Sequence, residues 1–307
     1  MKYAIVFPGQ GSQSLGMLSD LASNFSIVQD TFTEASDALG QDLWKLTQED
    51  QEALNQTQNT QPAMLAAGYA TYRVLSSEAD LSPICMAGHS LGEYTALVAA
   101  GSLDFAEGIK LVRKRGELMQ SAVPVGTGAM AAILGLDDDK VVEICSNVST
   151  GVVEAVNFNS PGQVVIAGSK DAVEAACETM KEAGAKRAVV LPVSVPSHCS
   201  LMNGAAEEFS ISVGATNFIQ VGNVLHNVDA STAGSVDEIQ SKLVAQLHKP
   251  VLWTSTVQAM SAMSIERLIE AGPGKVLAGL TKRIDKSLTG SAVFDTAGVT
   301  KIIEELA

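Results

Sequence analysis

The stretch Gly88-His89-Ser90-Leu91-Gly92 directly follows the short apolar run Ile84–Ala87 and directly precedes a small-residue helical run ending at Ala100. Glycines two positions either side of a serine let a chain leave a buried strand, turn sharply and enter a helix with the hydroxyl presented outward. Such a turn needs a sheet whose strands feed helices, which commits the chain to an α/β architecture. Neighbouring signals agree. Tyr3–Phe7 reads as a first buried strand and Gln61–Ser76 as a helix with Leu65, Tyr69, Tyr72 and Leu75 at helical spacing. Asp104 reads as the N-cap of a helix reaching about Ser121.

The rhythm changes between about residues 126 and 193. Met130–Leu136 reads as a strand, Asp137–Asn147 as a helix and Val152–Phe158 as a strand. The turn Asn159-Ser160-Pro161-Gly162, the strand Gln163–Ala167, the helix Ser169–Ala183 and the strand Arg187–Pro192 follow. The order β-α-β-β-α-β is that of a ferredoxin-like split unit, complete in itself. Helices over Ser235–His248, Thr254–Met263 and Lys275–Lys286 and a strand over Ile265–Glu270 then resume the outer pattern. At 307 residues the chain is long enough for two modest domains. The expected organisation is a discontinuous parallel-sheet domain, 1–125 and 194–307, with an inserted ferredoxin-like domain at 126–193.

Charge narrows the function. Twenty basic against 34 acidic residues leave a net −14, a field that opposes phosphate backbones and anionic lipid, so nucleic acid and membranes are not expected partners. An anionic ligand must be met by local basic residues. Four scattered cysteines, Cys85, Cys145, Cys177 and Cys199, form no C-x-x-C pair and are expected as reduced thiols rather than zinc ligands. No apolar run has the ~18–20 residues of a membrane span, and the N-terminus reads as a strand rather than a leader. A cytoplasmic protein is expected.

Ser90 is the candidate nucleophile, and the N–H of Leu91 at the start of the following helix is placed to meet an oxyanion. A serine needs a base, and the chain has four histidines. His89 should point away from the elbow in a structural role, while His226 and His248 read as surface or packing residues. His198, after Val195-Pro196-Ser197, falls where the chain leaves the inserted unit, on the lip of a cleft; alone it reads equally as base or bystander, but with Ser90 it is the leading base candidate. No carboxylate is marked by motif as its orienter. The carbonyl of Gln246 is an alternative, because its helical donor would be residue 250, a proline; His198 or water can fill it. Arg115 falls among Leu111, Val112, Leu118 and Met119, away from the arc of Lys110, Arg113, Lys114 and Glu117. A buried guanidinium needs a partner, either a protein carboxylate or a ligand anion. The loop Gly9-Gln10-Gly11-Ser12-Gln13 has its next glycine at Gly16, too late for a dinucleotide fingerprint; it can instead supply a second backbone N–H, from Gln10. Gly272-Pro273-Gly274-Lys275 is not a P-loop.

Together these strings resemble the malonyl-CoA:acyl carrier protein transacylase family of bacterial fatty acid synthesis. The matching segments are Pro8–Gln13, Thr60–Ala63, Gly88–Tyr94, Arg115-Gly116, Asn157–Gln163, Pro196–His198, Gln246 and Gly272–Gly274. Only the tail after about Leu288 lacks a distinguishing motif. The resemblance implies a hydrolase-like core with the ferredoxin-like insert. It also implies a two-step transfer in which Ser90 takes malonyl from malonyl-CoA and yields it to the phosphopantetheine thiol of acyl carrier protein. On this resemblance His198 is the base, Gln246 orients it through its main-chain carbonyl and Arg115 holds the malonyl carboxylate. Gln10 and Leu91 line the oxyanion hole. No cofactor is implied, the CoA thioester being a substrate. The alternatives are a serine thioesterase or esterase on the same core, for which a buried cation has no use, and a non-catalytic sensor of acyl-CoA or carrier protein. Lys275, Lys282 and Lys286, with Arg283 alongside, are expected on one helix face, either as a docking patch for an acidic carrier or as a solvated face whose charge complements the helix C-terminus; Lys186 and Arg187 are the next patch.

Overall fold

Tyr3–Phe7 is buried at every position, the pattern of a strand covered on both faces, and it lies at the middle of the larger sheet. The computed structural model describes residues 1–193 and 195–306. Its strands, in chain order, are β1 (Tyr3–Phe7), β2 (Met86–Gly88), β3 (Gly128–Leu134), β4 (Val153–Ser160), β5 (Gln163–Ser169), β6 (Arg187–Val190), β7 (Val224–Leu225), β8 (Arg267–Ala271) and β9 (Thr289–Val293). The larger sheet has the order β7-β2-β1-β8-β9 and every pairing in it is parallel. Alternation along β1 divides the core. Tyr3, Ile5 and Phe7 join a cluster with the helices Ser26–Leu39, Thr57–Glu78 and Phe105–Ser121. Ala4 and Val6 face Trp253, Val257 and Leu277 on the other side.

The smaller sheet, order β4-β5-β3-β6, is antiparallel throughout and carries the helices Asp138–Asn147 and Lys170–Glu182. Its strands all come from residues 128–190, so it is the ferredoxin-like unit with its own apolar cluster. The fold is thus α/β, a hydrolase-like parallel core with a small ferredoxin-like unit. The two are joined along β4: Phe158 N–H donates to Val251 O at 3.0 Å and Val251 N–H to Val156 O at 2.8 Å.

Several boundaries differ from expectation. The helix expected from Gln61 begins at Thr57, with Pro62 inside it. Proline removes one ladder bond, yet burial of nearly every residue from Thr57 to Ala70 outweighs that signal. Strand β4 runs through Asn159 and Ser160, which leaves Pro161-Gly162 as the turn. The helix expected over Lys275–Lys286 spans only Val276–Ile284, because Asp285 turns extended and its carboxylate accepts from Ser287 N–H at 2.8 Å and Ser261 Oγ at 2.6 Å. Lys275 and Lys286 lie outside it, so the expected lysine stripe on one helix face does not form. Helices over Ser19–Asn24, Leu43–Glu49, Asn203–Ala215 and Thr296–Leu306, with β7 and β9, are additional.

Candidate active site

The two glycines of the serine turn are sterically required. A Cβ on Gly88 would lie 1.9 Å from the carbonyl carbon of Gly92, and one on Gly92 would lie 2.1 Å from Phe7 O. The helix start therefore packs directly on β1 and β2, and Ser90 between them takes φ 51°. A left-handed non-glycine residue is costly and persists only where its surroundings hold it. Asn227, just after β7, supplies that hold: its Oδ1 accepts from Ser90 N–H at 2.7 Å and its Nδ2 donates to Gly88 O at 2.7 Å. Nothing in the sequence near Asn227 marks it, since its partners are 137 and 139 positions away.

His198, also left-handed at φ 67°, donates its backbone N–H to Leu247 O at 3.0 Å. Its Nδ1 lies 2.6 Å from Gln246 O and its Nε2 lies 2.8 Å from Ser90 Oγ. Because a carbonyl only accepts, the proton sits on Nδ1 and the Nε2 lone pair faces the serine. Gln246 ends the helix Val236–Gln246, and Pro250 has no N–H to offer that carbonyl. Burial, then the charge of Arg115, bring the imidazole pKa down to about 3; the Gln246 carbonyl opposes them, and His89 adds a smaller lowering. The ring is neutral at ordinary pH. This pair can take the Ser90 proton as the oxygen attacks a carbonyl.

Arg115 is 1% exposed. It donates through Nη1 to Gln61 Oε1 at 2.9 Å, and through Nη2 to Gln246 Oε1 at 2.9 Å and Ser90 Oγ at 3.2 Å. Its guanidinium also stands over the Tyr94 ring, 5.3 Å from the centroid. Among the described residues no carboxylate forms an ion pair with it. Burial pulls its pKa down, while Tyr94 and Glu93 oppose the shift. A buried planar cation beside the serine can bind a ligand carboxylate through two donors.

Leu91 is buried and opens the first turn before the helix Gly92–Ala99. Gly9 packs so closely on His89 that a Cβ would lie 2.4 Å from its carbonyl oxygen, which holds the loop bearing Gln10 against the elbow. Among the described residues neither the Gln10 nor the Leu91 N–H bonds to another backbone carbonyl. All six sequence candidates, Gln10, Ser90, Leu91, Arg115, His198 and Gln246, thus belong to one region. His89 turns away, its Nε2 2.8 Å from Asn159 Oδ1 of β4. Arg113, read as part of a solvent arc, is half-buried and donates to Asn59 Oδ1 at 2.9 Å and to Gln41.

Besides Asn227, two further residues were not legible as site members. Glu93 is fully buried beneath the elbow. His226, read as a surface or packing residue, is buried and its Nδ1 lies 2.7 Å from Glu93 Oε1. The other oxygen, Oε2, accepts from Asn227 N–H at 2.9 Å and Gln246 Nε2 at 2.7 Å. Among the described residues no cluster has the donor set of a metal site, and no helix is long and apolar enough to cross a membrane.

Residues 4–300 match the family model described as acyl transferase domain. Curated malonyl CoA-acyl carrier protein transacylases from Escherichia coli K12 and Haemophilus influenzae are 53% and 55% identical to the chain, each comparison covering 99% of both sequences. Among solved structures, a malonyl-transacylase in complex with its type II PKS acyl-carrier protein superposes with TM-score 0.97 at 51% identity, over 99% of this chain and all of that one. An acyl carrier protein S-malonyltransferase from Vibrio cholerae superposes with TM-score 0.95 at 55% identity, over 98% of this chain and all of that one.

Proposed function

The chain belongs to the acyl transferase family, among its malonyl-CoA:acyl carrier protein transacylases, and from that premise we propose that it carries malonyl from malonyl-CoA to acyl carrier protein for fatty acid synthesis, through an ester on Ser90. The observation that carries the reading is one serine oxygen held by two groups at once: His198 Nε2 at 2.8 Å and the buried Arg115 at 3.2 Å. The first makes it nucleophilic; the second is a receptor for an acyl group that ends in a carboxylate. An esterase of neutral acyl groups has no use for that cation.

In the first half-reaction the Ser90 hydroxyl proton passes to His198 Nε2 as Oγ bonds the thioester carbon. The oxyanion is met by the Gln10 and Leu91 N–H groups, and the carbon–sulfur bond then breaks with the His198 proton going to the CoA sulfur. In the second half the carrier's thiol gives its proton to His198 and attacks the ester, and Ser90 regains a proton as it leaves. Gln246 keeps the imidazole in the required tautomer throughout. No cofactor enters this scheme. The residues 1–125 and 194–307 form the catalytic unit and 126–193 the inserted one, with the acyl group held at their seam. Four free, buried cysteines accord with a cytoplasmic setting.

Intact-mass measurement after mixing with malonyl-CoA tests the scheme. Wild-type protein should gain one malonyl group and Ser90→Ala none. A stable malonyl adduct on the Ser90→Ala variant would sink it.

A further inference from the structure

Arg115 has a counter-charge that does not touch it. The guanidinium carries only donors, so the oxygen of the Gln246 side chain must face it; the amide nitrogen is thereby turned the other way. That nitrogen donates to Glu93 Oε2 at 2.7 Å and to Ser90 O at 3.0 Å. The result is a polarised chain, Arg115 to Gln246 to Glu93, in which one amide separates a buried cation from a buried carboxylate. We propose that Glu93 is the remote counter-charge of Arg115, acting through the Gln246 side chain, and thus a positioning residue for the guanidinium. Only the kinetic half of the test below rests on the malonyl reading given above.

Physical need supports the assignment. An uncompensated buried guanidinium is strongly disfavoured, but a carboxylate in direct contact would occupy the donors a substrate needs. Placing the carboxylate one amide away balances the charge and keeps donor capacity for a substrate: among the described residues the buried Arg115 Nε–H has no acceptor. The same carboxylate gathers the rest of the site. Through Asn227, whose N–H it accepts, it reaches the elbow; through Gln246 it reaches the residue whose carbonyl holds His198. His226 closes the far side of the network.

Glu93→Gln separates charge from hydrogen bonding. The amide oxygen can still accept from Asn227 N–H and Gln246 Nε2, while the new NH2 donates to His226 in its other tautomer. The test is a double-mutant cycle in thermal stability with Glu93→Gln, Arg115→Met and both together. Each single variant should lower Tm by several degrees, and Glu93→Gln should be neutral or stabilising in the Arg115→Met background. Additive losses would overturn the proposal. If Glu93→Gln alone does not fold, recovery of folded protein in the double variant supports it, and an unfolded double variant rejects it. Acylation gives the second readout. With the opposing charge gone, Arg115 attracts malonyl more strongly, so Glu93→Gln should raise the malonyl-to-acetyl acylation ratio severalfold. A purely structural role would slow both acyl groups alike and leave the ratio unchanged. Failure of the cycle with Ser90 still acylated would reject Glu93 alone and leave the transfer scheme standing.

Discussion

The helix Val236–Gln246 serves two buried cations in opposite ways. Lys242, its side chain 8% exposed, lies 3.0 Å from Asp229 Oδ2 and 3.0 Å from Glu238 Oε1, and also donates to Ser231 Oγ. Every donor of that ammonium is directed at a protein acceptor nearby. One turn on, Gln246 meets Arg115, which is buried more deeply and among the described residues has no direct carboxylate. Desolvation demands that both charges be balanced. A cation satisfied by direct pairs has nothing left for a ligand, whereas one balanced at a distance has. The difference separates a lysine that holds the fold from an arginine proposed to hold a ligand, both of them buried basic residues on helices.

The comparison breaks first at His198, the proposed base, which Arg115 helps keep neutral. His198→Ala should slow malonyl acylation by ~10²–10⁴. In the wild type the acid limb of kcat/KM should lie well below the ordinary histidine value of ~6.5, because burial and Arg115 hold the folded pKa near 3. The sign for stability follows. Between pH 6.5 and 3 the unfolded chain binds a proton here that the folded chain refuses, so this residue's contribution is present above 6.5 and is lost as pH falls. An acid limb at the ordinary value would remove the case for a desolvated base.

Lys242→Met sharpens the contrast from the structural side. Its partners are partly exposed, so the loss should be modest, about 1 kcal/mol, or roughly 2–4 °C in Tm for a large domain. The malonyl-to-acetyl ratio should not move. A changed ratio would make Lys242 part of the site.

Much of this arrangement could be read before folding was known, and the exceptions share a cause. The small antiparallel unit was legible element by element, since alternating strands, two amphipathic helices and a Pro-Gly turn are local signals. Arg115 and the Gln246 carbonyl stood out because each breaks a local rule, a charge on an apolar face and a carbonyl whose donor is proline. Asn227, Glu93 and His226 break none. Their roles arise from hydrogen bonds spanning 133 to 153 positions, and only the packing of β7 beside β2 brings them under the elbow. The lysine stripe fails locally: the Asp285 side chain ends the helix before Lys286, and Lys275 precedes its first residue.

The smallest expected effect concerns the surface by which an acidic carrier approaches. Lys282 and Arg283 remain exposed near the end of their shortened helix, and Arg283 Nη1 lies 3.3 Å from Gln163 Oε1 of β5, close to the seam. Charge reversal at both should raise KM for acyl carrier protein severalfold, with weaker salt dependence and unchanged acylation by malonyl-CoA. If the carrier KM holds steady, Lys186 and Arg187 are the patch to reverse next.

The central claim, that Arg115 is kept free of direct carboxylates in order to hold one that arrives on the substrate, has a direct measurement. It is the acylation rate of Ser90 by malonyl-CoA and by acetyl-CoA, in wild-type protein and in Arg115→Ala. Truncating one side of a buried, hydrogen-bonded charge pair costs roughly 2–5 kcal/mol, so malonyl acylation should fall by that amount while acetyl acylation falls far less. Equal losses for the two acyl groups would show that Arg115 holds the fold rather than the substrate, and would contradict the account.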